Sequence, residues 1–155
     1  MEYQLEAIGE EVKALIRESL DLQQQEISLS SNLIRDLDGE SIDFLDIVFR
    51  IEKNFKLKID RGQIEKTLRE RFPDLAIKPN TEITPEVRAI LKDLLPEIPA
   101  AEVDKIRKVK EIASLFTVAT FVRLTVTSLL KSYPDAVIKG TGVGGYGAAQ
   151  LGVPG

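Results

Sequence analysis

The sequence predicts an all-α fold, and the prediction rests on helical periodicity, helix-start signals and the placement of helix breakers. Apolar residues recur every three or four positions in several segments, and stretches with proline or glycine separate these segments. The 155 residues are 43% hydrophobic and 30% charged, which is typical of a soluble globular domain with its own core.

The first two helices are predicted from apolar faces. The N-terminal helix carries its apolar residues at positions Leu5, Ile8, Val12, Leu15, Ile16 and Leu20. A loop follows, and a second helix is predicted for residues 41–55. Its core face comprises Phe44, Ile47, Val48, Ile51 and Phe55.

Four further helices are predicted downstream. Residues 63–71 form a short one. A clear start signal, Thr84-Pro85-Glu86, opens the next, which ends near residue 94. Another is predicted over residues 100–113. The last covers residues 117–131, and its apolar stretch contains Arg123, which favours a buried helix over a membrane span.

The C-terminal segment, residues 134–155, is rich in glycine and is predicted to be a flexible tail. It contains Gly140-x-Gly142-x-x-Gly145 after the strand-like residues 136–139. A dinucleotide-binding site would need a helix and a second strand after this motif, and ten residues are too few for both.

The composition excludes several functions. The chain has no cysteine and no histidine, which excludes disulfides, thiolate chemistry, histidine bases and the usual zinc sites. The charged N-terminus does not resemble a signal peptide, so we expect a cytoplasmic protein without a membrane span. Residues 1–55 hold 13 acidic and 5 basic residues, whereas residues 56–155 hold 12 and 16. This asymmetry indicates a partner surface on the first part and does not favour nucleic acid.

The second helix carries more apolar surface than folding requires. Beside its core face lies a polar stripe, formed by Asp43, Asp46, Arg50 and Lys53. Beyond the stripe lies an apolar ridge, which we define as Ile42, Leu45 and Phe49. Apolar anchors beside oriented charge are typical of docking surfaces. Two simpler interpretations are that Ser41 is only an N-cap and that Asp46 and Arg50 form a surface ion pair.

The sequence LIRDLDGESIDFLDIVFRIEKNFKLKI resembles the acyl carrier protein family, in which an Asp-Ser-Leu motif opens the second helix. Here the corresponding residues are Glu40, Ser41 and Ile42. The acids and the aromatic residue that follow in the family match Asp43, Asp46, Glu52 and Phe55. FTVATFVRL also resembles the fourth helix of the family. The resemblance covers about residues 1–59 and 114–131.

This resemblance implies a four-helix carrier core in residues 1–60 and 114–133, with a helical insert in residues 61–113. It implies that Ser41 carries a covalent 4′-phosphopantetheine, whose thiol holds acyl groups as thioesters. The chain would then be a carrier and not an enzyme. The sequence departs from the usual pattern of the family at four positions. These are Glu40, the glutamate before the serine, and Ile42, Arg50 and Lys53.

The resemblance also implies partners in fatty-acid, lipid or polyketide synthesis. These are a phosphopantetheinyl transferase and acyl-chain synthases, ligases or acyltransferases, which would meet a monomer. The predicted docking residues are Glu40, Ile42, Asp43, Asp46, Phe49 and Glu52. Two alternatives are a peptidyl or aryl carrier and an unmodified adaptor that only binds proteins.

The insert supplies more apolar side chains than three short helices are expected to bury among themselves. We therefore predict that it packs on the core beside the last helix, where an acyl chain would enter. Such a wall would enlarge the cavity for a long or bulky chain. The alternative is a solvated decoration that adds stability or a partner contact.

Overall fold

The computed structural model describes residues 1–60 and 62–154, and most of its regular structure is helical. The α-helices are α1 (Leu5–Leu20), α2 (Ser41–Phe55), α3 (Gln63–Arg71), α4 (Pro85–Leu94), α5 (Ala100–Val103) and α6 (Val118–Ser132). Short 3-10 helices occupy Val109–Leu115 and Ala149–Leu151, and the strands are β1 (Glu2–Gln4), β2 (Val137–Lys139), β3 (Gly142–Val143) and β4 (Tyr146–Gly147). The predicted helical fold class is confirmed.

Local signals in the sequence place the ends of the helices. The Thr84 hydroxyl accepts a hydrogen bond from the Val87 N–H at 3.2 Å, with Pro85 at the first helical position. Thr117 caps α6 in the same way. At the other ends, Asp21 and Lys56 adopt left-handed conformations that terminate α1 and α2. These ends agree with the predicted boundaries.

The helices α1, α2 and α6 pack around a first hydrophobic cluster, which we call the core cluster. It includes the predicted apolar faces of α1 and α2. Its largest fully buried side chains are Leu5, Ile8, Ile16, Leu33, Ile47, Ile51, Phe121, Leu129 and Leu151. Among the described residues, no helix is long and apolar enough to cross a membrane.

Residues between α2 and α6 form a second hydrophobic cluster, which we call the insert cluster. Its buried members are Leu68, Ile83, Val87, Leu91, Leu95, Ile98, Val103, Ile106, Ile112 and Leu115. Ile64, Ile90, Leu94 and Val109 are only partly buried against this cluster, so the insert buries part of its apolar side chains by itself. Loop residues such as Ile83 and Ile98 complete the cluster. The division into core and insert stays a prediction, which the two clusters support. Arg61 and Gly155 belong to the predicted insert and tail and lie outside the described residues.

The helix predicted over residues 100–113 is interrupted. Helix α5 ends at Val103, and regular structure resumes as a 3-10 helix at Val109. Between them, the Arg88 guanidinium donates to the carbonyl oxygens of Val103 at 2.5 Å and Ile106 at 2.9 Å. The Ile83 N–H also binds the Arg107 carbonyl. These contacts occupy backbone carbonyl oxygens that would accept hydrogen bonds from backbone N–H groups in a continuous helix.

The C-terminal segment is folded, contrary to the predicted flexible tail. Strand β2 pairs in parallel with β1, and β3 and β4 form a small antiparallel hairpin. Leu151 is fully buried in the core cluster. Gly152 has a φ of 92°, and a Cβ there would lie 2.9 Å from a Thr127 methyl carbon. Close packing on α6 therefore explains one of the glycines that make the segment look flexible.

Candidate functional site

Ser41 is the first residue of α2, and its side chain is exposed. The position before it, the N-cap, is Glu40. Within the part of the chain that the structure describes, the Ser41 hydroxyl forms no hydrogen bond, so Ser41 does not serve as the N-cap that the simpler interpretation expects. The hydroxyl faces solvent at the positive end of the helix dipole, where an attached phosphate group is favoured.

The turn before Ser41 is held by close packing at Gly39. This glycine is buried, and its N–H binds the Leu33 carbonyl oxygen at 2.8 Å. A Cβ at position 39 would lie only 2.9 Å from that oxygen and 3.0 Å from a Leu33 methyl carbon. A larger residue would push the turn away from the core and displace Ser41.

A buried asparagine that sequence analysis did not single out anchors the same loop. Asn32 is 1% exposed, and its side-chain oxygen accepts from the N–H groups of Ile34 and Arg35, both at 3.0 Å. Its amide donates to the Ser114 carbonyl at 2.7 Å, just before α6. Asn32 thereby ties the loop that leads to Ser41 to the start of α6. A lone polar residue between serines and apolar residues gave no local sign of this role.

Most charged side chains of the polar stripe of α2 form contacts with other residues of the same chain. Asp46 accepts a hydrogen bond from the Ser19 hydroxyl at 2.5 Å and pairs with Arg50 at 2.7 Å, as the ion-pair interpretation predicts. Arg50 also pairs with Glu18 at 2.6 Å. The Ser19 hydrogen bond and the Arg50 guanidinium hold the pKa of Asp46 below its ordinary value. Asp46 is therefore ionised at neutral pH and joins α2 to α1.

The other predicted docking acids also have internal contacts. The Asp43 carboxylate accepts from the Glu40 N–H at 2.7 Å, which stabilises the start of α2. Glu52 accepts from the Ile59 N–H at 2.9 Å and holds the chain after α2. Glu40 remains exposed next to Ser41. The acids nearest the serine are thus Glu40 and Asp43, whereas Glu52 lies near the opposite end of the helix.

The apolar ridge is exposed beside Ser41. Ile42 is 70% exposed, Leu45 is 42% exposed and Phe49 is 51% exposed. All three belong to one helix, and Ile42 directly follows the serine. Exposed large apolar side chains grouped in this way are typical of a protein-binding surface.

A cavity of about 610 Å³ begins near the same end of α2 and runs between α6 and the insert. Phe44, one turn after Ser41, lines it and packs on Phe116 and Phe121 with ring centroids 5.2 and 5.4 Å apart. Its apolar lining comes from Phe44, Ile59, Ile64, Leu94, Phe116 and Leu124. The remaining lining on α6 is polar: Thr120, Arg123, Thr127, Ser128, Lys131 and Ser132.

Comparison with known proteins identifies a matching family model. Residues 10–70 match the model described as a phosphopantetheine attachment site, and this range contains Ser41, the ridge and all of α3 except its last residue. No solved structure matches the chain.

Curated relatives match stretches of 60 to 104 residues of this chain. The acyl carrier protein of Thermotoga maritima is 34% identical over 61 residues, which are 39% of this chain and 75% of that protein. The acyl carrier protein of Campylobacter concisus is 32% identical over 60 residues, 39% of this chain and 78% of the relative. Acyl carrier protein AcpXL of Rhizobium meliloti is 31% identical over 104 residues, 67% of this chain and 94% of the relative.

Proposed function

Because the chain belongs to the acyl carrier protein family and carries a covalent 4′-phosphopantetheine, we propose that Ser41 is the attachment residue. The observation that carries this proposal is the exposed Ser41 hydroxyl at the start of α2, without a partner among the described residues. Its oxygen would form the phosphodiester, and the first turn of α2 would stabilise the phosphate charge.

The proposed attachment requires one reacting group from this chain, the Ser41 oxygen. Members of the family are carriers rather than enzymes, and the thiol that holds the acyl thioester belongs to the prosthetic group. A separate transferase supplies the chemistry of attachment. The sequence has no cysteine and no histidine, which is consistent with attachment by a separate enzyme and with a thiol supplied by the prosthetic group.

Intact-mass measurement tests the proposal directly. The chain is incubated with a broad-specificity phosphopantetheinyl transferase and the cofactor donor, and the modified residue is then located by peptide mapping. An adduct on Ser41 excludes the unmodified adaptor. An unmodified chain after efficient modification of a reference carrier would contradict the proposal.

Carrier proteins bind synthases and transferases, and we place their contact on the apolar ridge, with Glu40 and Asp43 at its edge. The ridge lies beside Ser41, so a partner seated there would reach the prosthetic group. The Arg50 guanidinium compensates the charge of Asp46, and Glu52 lies near the far end of α2, so both are expected to contribute less than the sequence pattern predicts.

Ile42→Ala is expected to weaken transferase binding by about 1 kcal/mol, or roughly fivefold in Kd, because an exposed interface anchor is lost. The matched control is Val137→Ala, which shortens an exposed apolar side chain on β2, away from α2. Binding is measured by titration, and unfolding is followed to verify that both variants stay folded. Equal affinities in the two variants would place the contact elsewhere.

We further propose that the acyl chain enters the cavity past Phe44 and that the insert forms one of its walls. The cavity lining on α6 extends from Thr120 to Ser132, a length of about 18 Å at 1.5 Å per residue. Ile64 and Leu94 provide apolar surface from the insert. This arrangement supports the hypothesis that the insert extends the space for a long or bulky chain.

Loading the protein with acyl chains of increasing length should raise its thermal midpoint beyond medium lengths, since each buried methylene contributes about 0.8 kcal/mol. Leu94→Ala should reduce the gain from long chains because it removes part of the cavity wall. The control Ile90→Ala shortens a half-buried residue of the same helix that does not line the cavity. An early plateau in the unmutated protein would show that the insert does not shape the cavity.

A further inference from the structure

The insert and α6 meet at a buried ion pair. Glu97 follows α4 in the insert and is 2% exposed, and its carboxylate accepts from Arg123 Nε at 2.6 Å and Nη2 at 3.4 Å. The Thr120 hydroxyl donates to the same carboxylate at 2.8 Å. Both Thr120 and Arg123 line the cavity, as does Leu94, three residues before Glu97. The pair therefore joins two walls of the cavity.

The C-terminal segment encloses this pair. Gly152 packs on Arg123, since a Cβ at this glycine would lie 3.1 Å from the Arg123 carbonyl oxygen and 3.4 Å from its Cγ. The pKa of Tyr146 is raised, mainly because its side chain is partly buried and also because the negative charge of Glu97 is nearby. The tail is thus close to both charges, and water is largely excluded from the pair.

We propose that the Glu97–Arg123 pair positions the insert against α6 and thereby determines which acyl-chain lengths the cavity accepts. The core and insert clusters meet at the Phe44–Phe116 ring pair near the start of α2, and the Glu97–Arg123 pair adds a charged contact between the insert and α6 just after α4. A buried guanidinium–carboxylate pair with two contacts has a strict geometry, and its charges cannot separate without being left uncompensated. The part of this inference that concerns acyl chains rests on the proposed function.

The positioning role can be measured in the unmodified protein. Because the chain has no cysteine, spin labels can be attached at Asp93→Cys on α4 and Ala14→Cys on α1, both exposed positions. Glu97→Gln should broaden the distribution of distances between the labels at least twofold relative to the labelled parent. Asp104→Asn is the control, since it removes an exposed ion pair with Lys92 inside the insert and should leave the distribution unchanged.

The specificity role is measured after loading. Once mass measurement has verified the acylated protein, Glu97→Gln should lose at least half of the increase in thermal midpoint that long chains produce over medium chains. Asp104→Asn should keep this increase. If mass measurement finds no phosphopantetheine adduct, that result contradicts the proposed function. It does not bear on the positioning role, because the distance measurement needs no prosthetic group.

Two results would overturn the inference. One is an unchanged distance distribution in Glu97→Gln. The other is a broadened distribution with an unchanged dependence on chain length. If Glu97→Gln does not fold, Arg123→Lys is measured in its place and judged by the same two results. Lysine keeps the positive charge but lacks the planar guanidinium group that contacts both carboxylate oxygens. Loss of the fold in both variants would also overturn the inference, since the pair would then be required for folding itself.

Discussion

Ser41→Ala is expected to abolish attachment of 4′-phosphopantetheine while leaving the fold intact. The substitution removes the oxygen that would form the phosphodiester. It removes no hydrogen bond seen among the described residues, and α2 keeps its cap through Glu40 and Asp43. Alanine is also a good helix former at an exposed position. Intact mass after incubation with a transferase measures attachment, and denaturant unfolding measures stability.

Ser30→Ala is the matched control for this experiment. Ser30 is also exposed, but it lies in the loop before α2, and its hydroxyl is 3.0 Å from that of Ser28. We expect this variant to be modified as the parent chain is. Modification that persists in Ser41→Ala would place the attachment residue elsewhere.

Leu151→Ala is expected to lower the free energy of unfolding by about 2–5 kcal/mol, the usual cost of truncating a fully buried leucine. Leu151 is 0% exposed and belongs to the core cluster, although it lies in the segment that looks flexible from its composition. Urea unfolding followed by circular dichroism measures the effect, because the helices report on the core.

The control for this prediction is Val137→Ala in the same segment. Val137 is 52% exposed, so its truncation should change stability by no more than about 0.5 kcal/mol. Similar stability for Leu151→Ala and the parent chain would mean that the C-terminal segment does not contribute to the core in solution.

Local sequence patterns account for most of the helices and for the candidate site. Periodicity and capping residues predict α2 and α4 with their observed ends, since both depend on contacts within a few residues. The place of Ser41 at the start of α2 follows from the same local information. The exposed ridge was also predictable, because the faces of one helix follow from its spacing alone.

Contacts between distant residues explain what the sequence did not predict. Asp46 faces Ser19, Glu97 faces Arg123, and Leu151 reaches the core only because the tail folds back along α6. Each contact depends on two segments meeting in space, and neither segment alone contains a sign of the other. The sequence by itself thus determined the carrier motif, the position of Ser41 and the helices other than the interrupted one at residues 100–113. Only the tertiary structure decided which acids of α2 stay available, how the tail packs and where the insert sits, since burial and long-range pairing depend on the whole fold.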